Sequence, residues 1–245
     1  MSLERYGQDL TVAVFGASGG IGAAFVDALA ADPNVATVHA FSRAPQPSAG
    51  KVIGLQCDPL DEGDLARAAE AIRASGRLAL GISAIGTLHG EGYSPEKAFR
   101  QLAPPAFETV MRVNALGPAL VAKHMAPLLP KDRPAGLGLL SARVGSISDN
   151  RLGGWHSYRA SKAALNMLIR GLSIELARSH EQAFVLGLHP GTVDTALSEP
   201  FQRGVPEGKL FTPERSAAGM LDVLAAATPE MSGGVFDYAG ERVPA

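Results

Sequence analysis

The feature that most restricts this 245-residue chain is a glycine-rich turn set between a short apolar run and an alanine-rich helix. Thr11–Phe15 runs directly into Gly16-Ala17-Ser18-Gly19-Gly20-Ile21-Gly22. Gly16, Gly20 and Gly22 remove side chains where the chain must turn sharply and where an anion would approach the backbone. The helix that follows offers unpaired N–H groups and a positive dipole end. A strand, this turn and a helix in that order predict a pyrophosphate cradle that includes Ser18 and Ile21. The spacing is GxxxGxG rather than GxGxxG.

The rest of the chain continues the pattern. Further strands are expected at Val35–Phe41, Val52–Cys57, Leu78–Ala84, Gly136–Ser141, Ala183–His189 and Val235–Tyr238. Helices are expected at Gly20–Ala31, Leu60–Ser75, Ala106–Leu129, Ser157–Ser179 and Pro213–Ala227. Apolar strands alternating with crossover helices imply an α/β fold, a Rossmann-type doubly wound parallel sheet of about seven strands covered on both faces. A single domain, 1–245, is expected, with ligands outside the carboxyl ends of the strands.

Composition narrows the function classes. With 22 Lys+Arg against 24 Asp+Glu, no basic excess points to nucleic acid or an anionic membrane. The start, MSLERYGQDL, lacks the apolar core of a signal segment, and no apolar stretch approaches the ~18 residues of a membrane span. A cytoplasmic location is expected. The lone Cys57 excludes an intrachain disulfide framework, and no histidine–carboxylate cluster has metal spacing, so no metal is expected.

Counting about 20 residues from the glycine turn reaches Ser42 and Arg43, where a carboxylate would mark NAD. A hydroxyl and a guanidinium suit a 2′-phosphate instead, which favours NADP (NADPH) over NAD. A rival reading uses the same letters, because Gly16-Ala17-Ser18-Gly19-Gly20 satisfies GxSxG. Ser18 would then be a hydrolase nucleophile, with His180 or His189 as its base.

Residues 155–166 read WHSYRASKAALN, with Tyr158 and Lys162 four apart on one helix face. A lysine cation beside a phenol favours the phenolate, which would tune Tyr158 for proton exchange with an alcohol or carbonyl oxygen. Together the glycine turn and YxxxK resemble the short-chain dehydrogenase/reductase family, nearly end to end. Within it the stretch from Ser141 to Thr195 is similar to the C-factor-like, cell-contact-signalling subgroup, a relative of carbonyl reductases.

The resemblance implies roles. Asn114, in Arg-Val-Asn-Ala-Leu-Gly-Pro, would complete a catalytic set with Tyr158 and Lys162 and anchor a proton-relay water. Lys162 would also hold the nicotinamide ribose. Asp58 would bond the adenine. Pro190, Gly191, Val193 and Thr195 would hold the nicotinamide amide. A small carbonyl or secondary alcohol is the implied substrate, a homodimer or homotetramer the implied assembly, and a C-factor-like signalling role with little turnover the alternative. Three departures stand out. Phe15 replaces a threonine, Ser83-Ala84-Ile85-Gly86 replaces Asn-Asn-Ala-Gly, and Ala142 occupies the place of the catalytic serine. Ser141 or Ser146 would have to substitute, Ser141 being preferred, although strand alternation turns it away from the direction of Ala142.

Overall fold

The computed structural model describes residues 3–245. Nine strands form: β1 (Leu10–Phe15), β2 (Val35–Ser42), β3 (Val52–Gln56), β4 (Leu78–Ser83), β5 (Ala135–Leu140), β6 (Ala183–His189), β7 (Thr192–Val193), β8 (Leu210–Phe211) and β9 (Val235–Asp237). Six α-helices accompany them: α1 (Gly20–Ala31), α2 (Glu62–Ser75), α3 (Pro104–Met111), α4 (Gly117–Met125), α5 (His156–Leu176) and α6 (Pro213–Ala226). Seven strands make one parallel sheet in the order β3-β2-β1-β4-β5-β6-β9. This is the expected Rossmann-type α/β architecture. The β7–β8 pair, which the sequence reading did not resolve, is a separate ribbon closing the base of the 194–209 segment.

Side-chain alternation sorts the strands between two cores. Val12, Val14, Leu80 and Ile82 pack with Phe25 and Leu29 of α1 and with Met220, Leu221 and Leu224 of α6. Ala13, Phe15, Leu137 and Leu139 face Leu65 of α2, Val121 and Met125 of α4, and Leu165 and Ile169 of α5. Phe15 stacks on Phe41 with ring centroids 4.6 Å apart, flooring the glycine turn. The bulk that replaces the expected threonine is thus used in packing.

Parallel register aligns the strand ends. Phe15 pairs with Phe41 and Ser83, Ser83 with Leu139, and Leu139 with Gly187. The segments that follow them therefore share one edge, with the reversal of strand order between β1 and β4.

One expected helix is broken. Residues 106–129 do not run as a continuous α-helix, because a π-turn over Arg112–Leu116 separates α3 from α4. Pro118 has no N–H to give the Asn114 carbonyl four residues back, and its ring would press on that carbonyl. The Gly117 N–H reaches instead to Arg112, five residues back. Asn114 lies in the middle of this turn.

Candidate active site

The glycine turn is shaped by backbone contact. Gly16 has φ +85°, and a Cβ there would lie 2.9 Å from the Ala84 carbonyl oxygen. A Cβ on Gly22 would lie 2.0 Å from the Gly16 oxygen. Neither position admits a side chain. No side chain caps α1, so the amides of its first turn have no intrahelical partner and no side-chain cap. A Cβ on Gly20 would lie 3.0 Å from the Thr195 methyl carbon, so Thr195 stands against the turn. Ser18 is exposed at its rim.

A cleft of about 220 Å³ opens from this turn and is lined by Gly16, Ser18, Ser42, Arg43, Asp58 and Gly86, among others. Asp58 accepts the Leu60 N–H on Oδ1, and its other oxygen has no hydrogen-bond partner among the described residues. Arg43 is exposed and forms no ion pair among the described residues. Ser42 departs from expectation. It is buried and its one O–H is donated to the Ala44 carbonyl at 2.5 Å, so Arg43 is the donor left for a phosphate at that strand end. The cradle, the free carboxylate oxygen and the guanidinium fit an adenine dinucleotide.

The second cofactor segment is held from below. Ser216 donates to the Pro190 carbonyl at 2.7 Å, and Gly191, at φ +77°, is enclosed by the rings of Phe211 and Tyr238. Val193 is buried in β7 and its carbonyl accepts from Ser198.

Tyr158 and Lys162 lie on α5, with the Lys162 Nζ 5.8 Å from the centre of the Tyr158 ring. Lys162 donates to the Leu140 carbonyl at 2.8 Å. Asn114 Oδ1 accepts the Thr87 N–H at 2.7 Å, while its Nδ2 donates to the Thr87 carbonyl at 2.8 Å and to Ser161 at 3.1 Å. Ser161 in turn donates to the Tyr158 carbonyl at 2.7 Å. Asn114 thereby joins the exit of β4 to α5, with both amide hydrogens donated and one donor on Oδ1. A Cβ on Gly86 would lie 3.6 Å from Asn114 Oδ1 and 3.7 Å from Lys162 Nζ, so the two polar groups converge beside that glycine.

The electrostatics differ from the sequence expectation. Burial pushes the Tyr158 phenol up to about 12 and pulls Lys162 down to about 7. Desolvation outweighs any stabilisation of the phenolate by the lysine. The sign for stability follows. Lys162 binds a proton less readily folded than unfolded, so its contribution falls as pH drops from about 10.5 toward about 7. Lys162→Met is therefore expected to raise Tm, and by more at pH 7 than at pH 10. Equal gains at both values would contradict a desolvated ammonium.

Both serine substitutes already have hydrogen-bond partners. Strand alternation puts Ser141 on the α5 face, where it is buried and donates its hydroxyl to Asn166 Oδ1 at 2.6 Å. Ser146 is buried and donates to the Ala245 carbonyl at 3.3 Å. Both hydroxyls are thus donated within the protein rather than toward the cleft, and Ala142 presents only a methyl group. The hydrolase constellation is also not assembled. His180 precedes β6, at the opposite sheet edge from Ser18, and bonds Ser179. His189 ends β6, three strands from β1 in the sheet order, roughly 14 Å at strand spacing.

One site residue escaped the sequence reading. Ser161 lies inside the YxxxK stretch, and its link to Asn114 depends on a helix 47 residues away. Trp155, which precedes α5, has a left-handed backbone (φ 51°) and meets the Tyr158 ring edge-on at 6.2 Å. Phe201 lies against Trp155 at 5.3 Å, and His89 against Phe201 at 5.8 Å, giving the site an aromatic wall.

A family model described as short chain dehydrogenase matches residues 10–205. The chain belongs to the short-chain dehydrogenase family. Over 123 residues, half of this chain and 51% of the relative, it is 42% identical to 1-hydroxy-2-glutathionyl-2-methyl-3-butene dehydrogenase of Rhodococcus sp. (strain AD45). It is 41% identical to C-signal of Myxococcus xanthus over 133 residues, 54% of this chain and 74% of that one. Most of the curated relatives it matches are spanned over about half their length. Among solved structures, NADPH-bound carbonyl reductase from chicken fatty liver superposes with TM-score 0.82 at 26% identity, covering 97% of this chain and 95% of that one. A Burkholderia multivorans short-chain dehydrogenase/reductase with bound NADP gives 0.79 at 26%, covering 97% and 100%. Among the described residues, no helix of this dehydrogenase is long and apolar enough to cross a membrane, and no group of three His, Cys, Asp or Glu could hold a metal.

Proposed function

We propose that this dehydrogenase interconverts a small carbonyl compound and a secondary alcohol with NADP(H), Tyr158 exchanging the proton. The convergence of Asn114, Lys162 and the Tyr158 helix beside Gly86, next to the glycine-turn cleft, carries the reading. The nicotinamide nucleotide supplies or accepts the hydride; the remaining work belongs to the chain. Gly16, Gly20, Ile21 and Gly22 receive the pyrophosphate, with Ser18 at the rim. Asp58 takes the adenine, while Pro190, Gly191, Val193 and Thr195 hold the amide end. Lys162 holds the ribose, and Asn114 fixes the helix that presents Tyr158. In reduction the Tyr158 O–H donates its proton to the substrate oxygen as negative charge develops there.

Arg43 supports NADP over NAD, as do the NADPH and NADP named in the two solved relatives. A charge-assisted contact to a 2′-phosphate is worth about 1.5–3 kcal/mol, roughly a tenfold to hundredfold in affinity. Titration followed by nicotinamide fluorescence is therefore expected to show NADPH binding more tightly than NADH. Arg43→Ala should remove most of the difference by weakening NADPH alone. Equal affinities in the wild type would sink the Arg43 argument.

A second reading has one specific observation behind it. Ala142, with Ser141 and Ser146 both committed elsewhere, leaves the site short of a donor, as suits a nucleotide-binding regulator with little turnover. C-signal is the relative whose name fits that role. Either role suits a single cytoplasmic domain with one buried, reduced Cys57. The apolar groove between α4 and α5, with Met167 and Leu168 exposed beside it, supports a homodimer or homotetramer.

A further inference from the structure

We propose that Glu96 is a positioning residue for Tyr158, capping the helix that carries it from the long segment between β4 and α3. This rests on the reductase reading of the Tyr158 site. The N-cap of α5 is Trp155, whose side chain makes no capping bond. An uncapped helix start leaves N–H groups without partners. Glu96, 61 residues before Ser157, fills that role: Oε2 accepts the Ser157 N–H at 3.2 Å and Oε1 accepts the Ser157 hydroxyl. Its own carbonyl accepts the Trp155 N–H at 2.5 Å. The carboxylate is only 6% exposed and sits at the positive end of α5.

The consequence falls on the two rings of the site. Gly153, Gly154 and Trp155 are all left-handed, with φ 64°, 64° and 51°. A bulky L residue avoids that conformation unless its surroundings impose it. Glu96 holds one side of this turn, and Arg159 holds the other through the Gly153 and Gly154 carbonyls. The turn aims the Trp155 indole at Tyr158, the residue immediately after Ser157. Glu96 is itself fixed in place. The N–H groups of Lys97 and Ala98 donate to Gln101, and Thr87, at the other end of the loop, is clamped by Asn114. The segment between β4 and α3 is thus tied to the start of the Tyr158 helix.

Trp155 is the only tryptophan in the chain, so its emission reports this corner alone. The test compares wild type, Glu96→Gln and Glu96→Ala by acrylamide quenching of that emission, by far-UV circular dichroism and Tm, and by kcat and KM for NADPH-dependent carbonyl reduction. In Glu96→Ala, quenching is expected to rise at least twofold and kcat to fall at least tenfold, with KM for NADPH within twofold and helix content retained. Glu96→Gln, which still offers Ser157 an acceptor oxygen, should recover part of both losses. Wild-type quenching and kcat in Glu96→Ala, even at lowered Tm, would overturn the proposal. If Glu96→Ala does not fold, Glu96→Gln decides: altered quenching supports the role and unaltered quenching overturns it. If the wild type turns over no carbonyl, the reductase reading fails separately, and the tryptophan signal still tests the cap.

Discussion

Tyr158→Phe is expected to lower kcat/KM for carbonyl reduction by about 10²–10⁴-fold, the usual worth of a positioned general acid, while NADPH affinity stays within about threefold. The substitution removes one oxygen and keeps the ring that meets Trp155, so the wall and the helix should survive it. Its phenol, pushed up to about 12, is protonated at all ordinary pH values and stands ready to donate. The same value fixes the pH dependence of the reverse reaction. Alcohol oxidation needs the phenolate, whose fraction rises tenfold per pH unit below about 12, so log kcat/KM for oxidation should climb with a slope near one from pH 8 upward. Reduction should show no such rise. A Tyr158→Phe variant keeping more than a tenth of wild-type kcat/KM would remove Tyr158 from the chemistry.

Ala142→Ser is expected to increase kcat/KM for carbonyl reduction by about 10- to 100-fold, somewhat less than the 10²–10³ lost when a developed oxyanion donor is deleted. The expectation follows from where the existing hydroxyls go. Ser141 gives its proton to Asn166 and Ser146 gives its own to Ala245, so neither is drawn toward a substrate. A serine at Ala142 adds a single oxygen at the β5 exit and leaves both of those bonds untouched. If the variant folds with wild-type nucleotide affinity and shows no gain, the donor shortage is not what limits this site. A gain from near-zero activity would favour the regulatory reading of the natural chain.

Local patterns were the readable part of this molecule. The strand–helix alternation and the Gly16–Gly22 turn are short-range signals, and the parallel seven-stranded sheet and the tight turn between β1 and α1 agree with them. YxxxK is likewise one helical turn. What depended on packing was not readable in the same way. Glu96 and Ser157 are 61 residues apart, and no periodicity links them. The π-turn at Asn114 did leave a mark, in Gly117-Pro118 within an apparently continuous helix, and a proline there is a reason to divide it. Ser141 shows a rule correctly available and overridden: alternation already turned it from the direction of Ala142, and its bond to Asn166 agrees. Tyr158 and Lys162 show a competition that sequence cannot weigh, because the effect of the lysine depends on how far both groups are desolvated.

The central claim is that this short-chain dehydrogenase turns over carbonyl compounds with NADPH through Tyr158. The most direct test follows NADPH absorbance at 340 nm while the purified chain meets a panel of aldehydes, ketones and diketones, with Tyr158→Phe alongside. Carbonyl-dependent oxidation of NADPH, faster than that of NADH and lost in the variant, is the result expected. Tight NADPH binding with no oxidation by any member of the panel would contradict the claim and leave a nucleotide-binding regulator in its place.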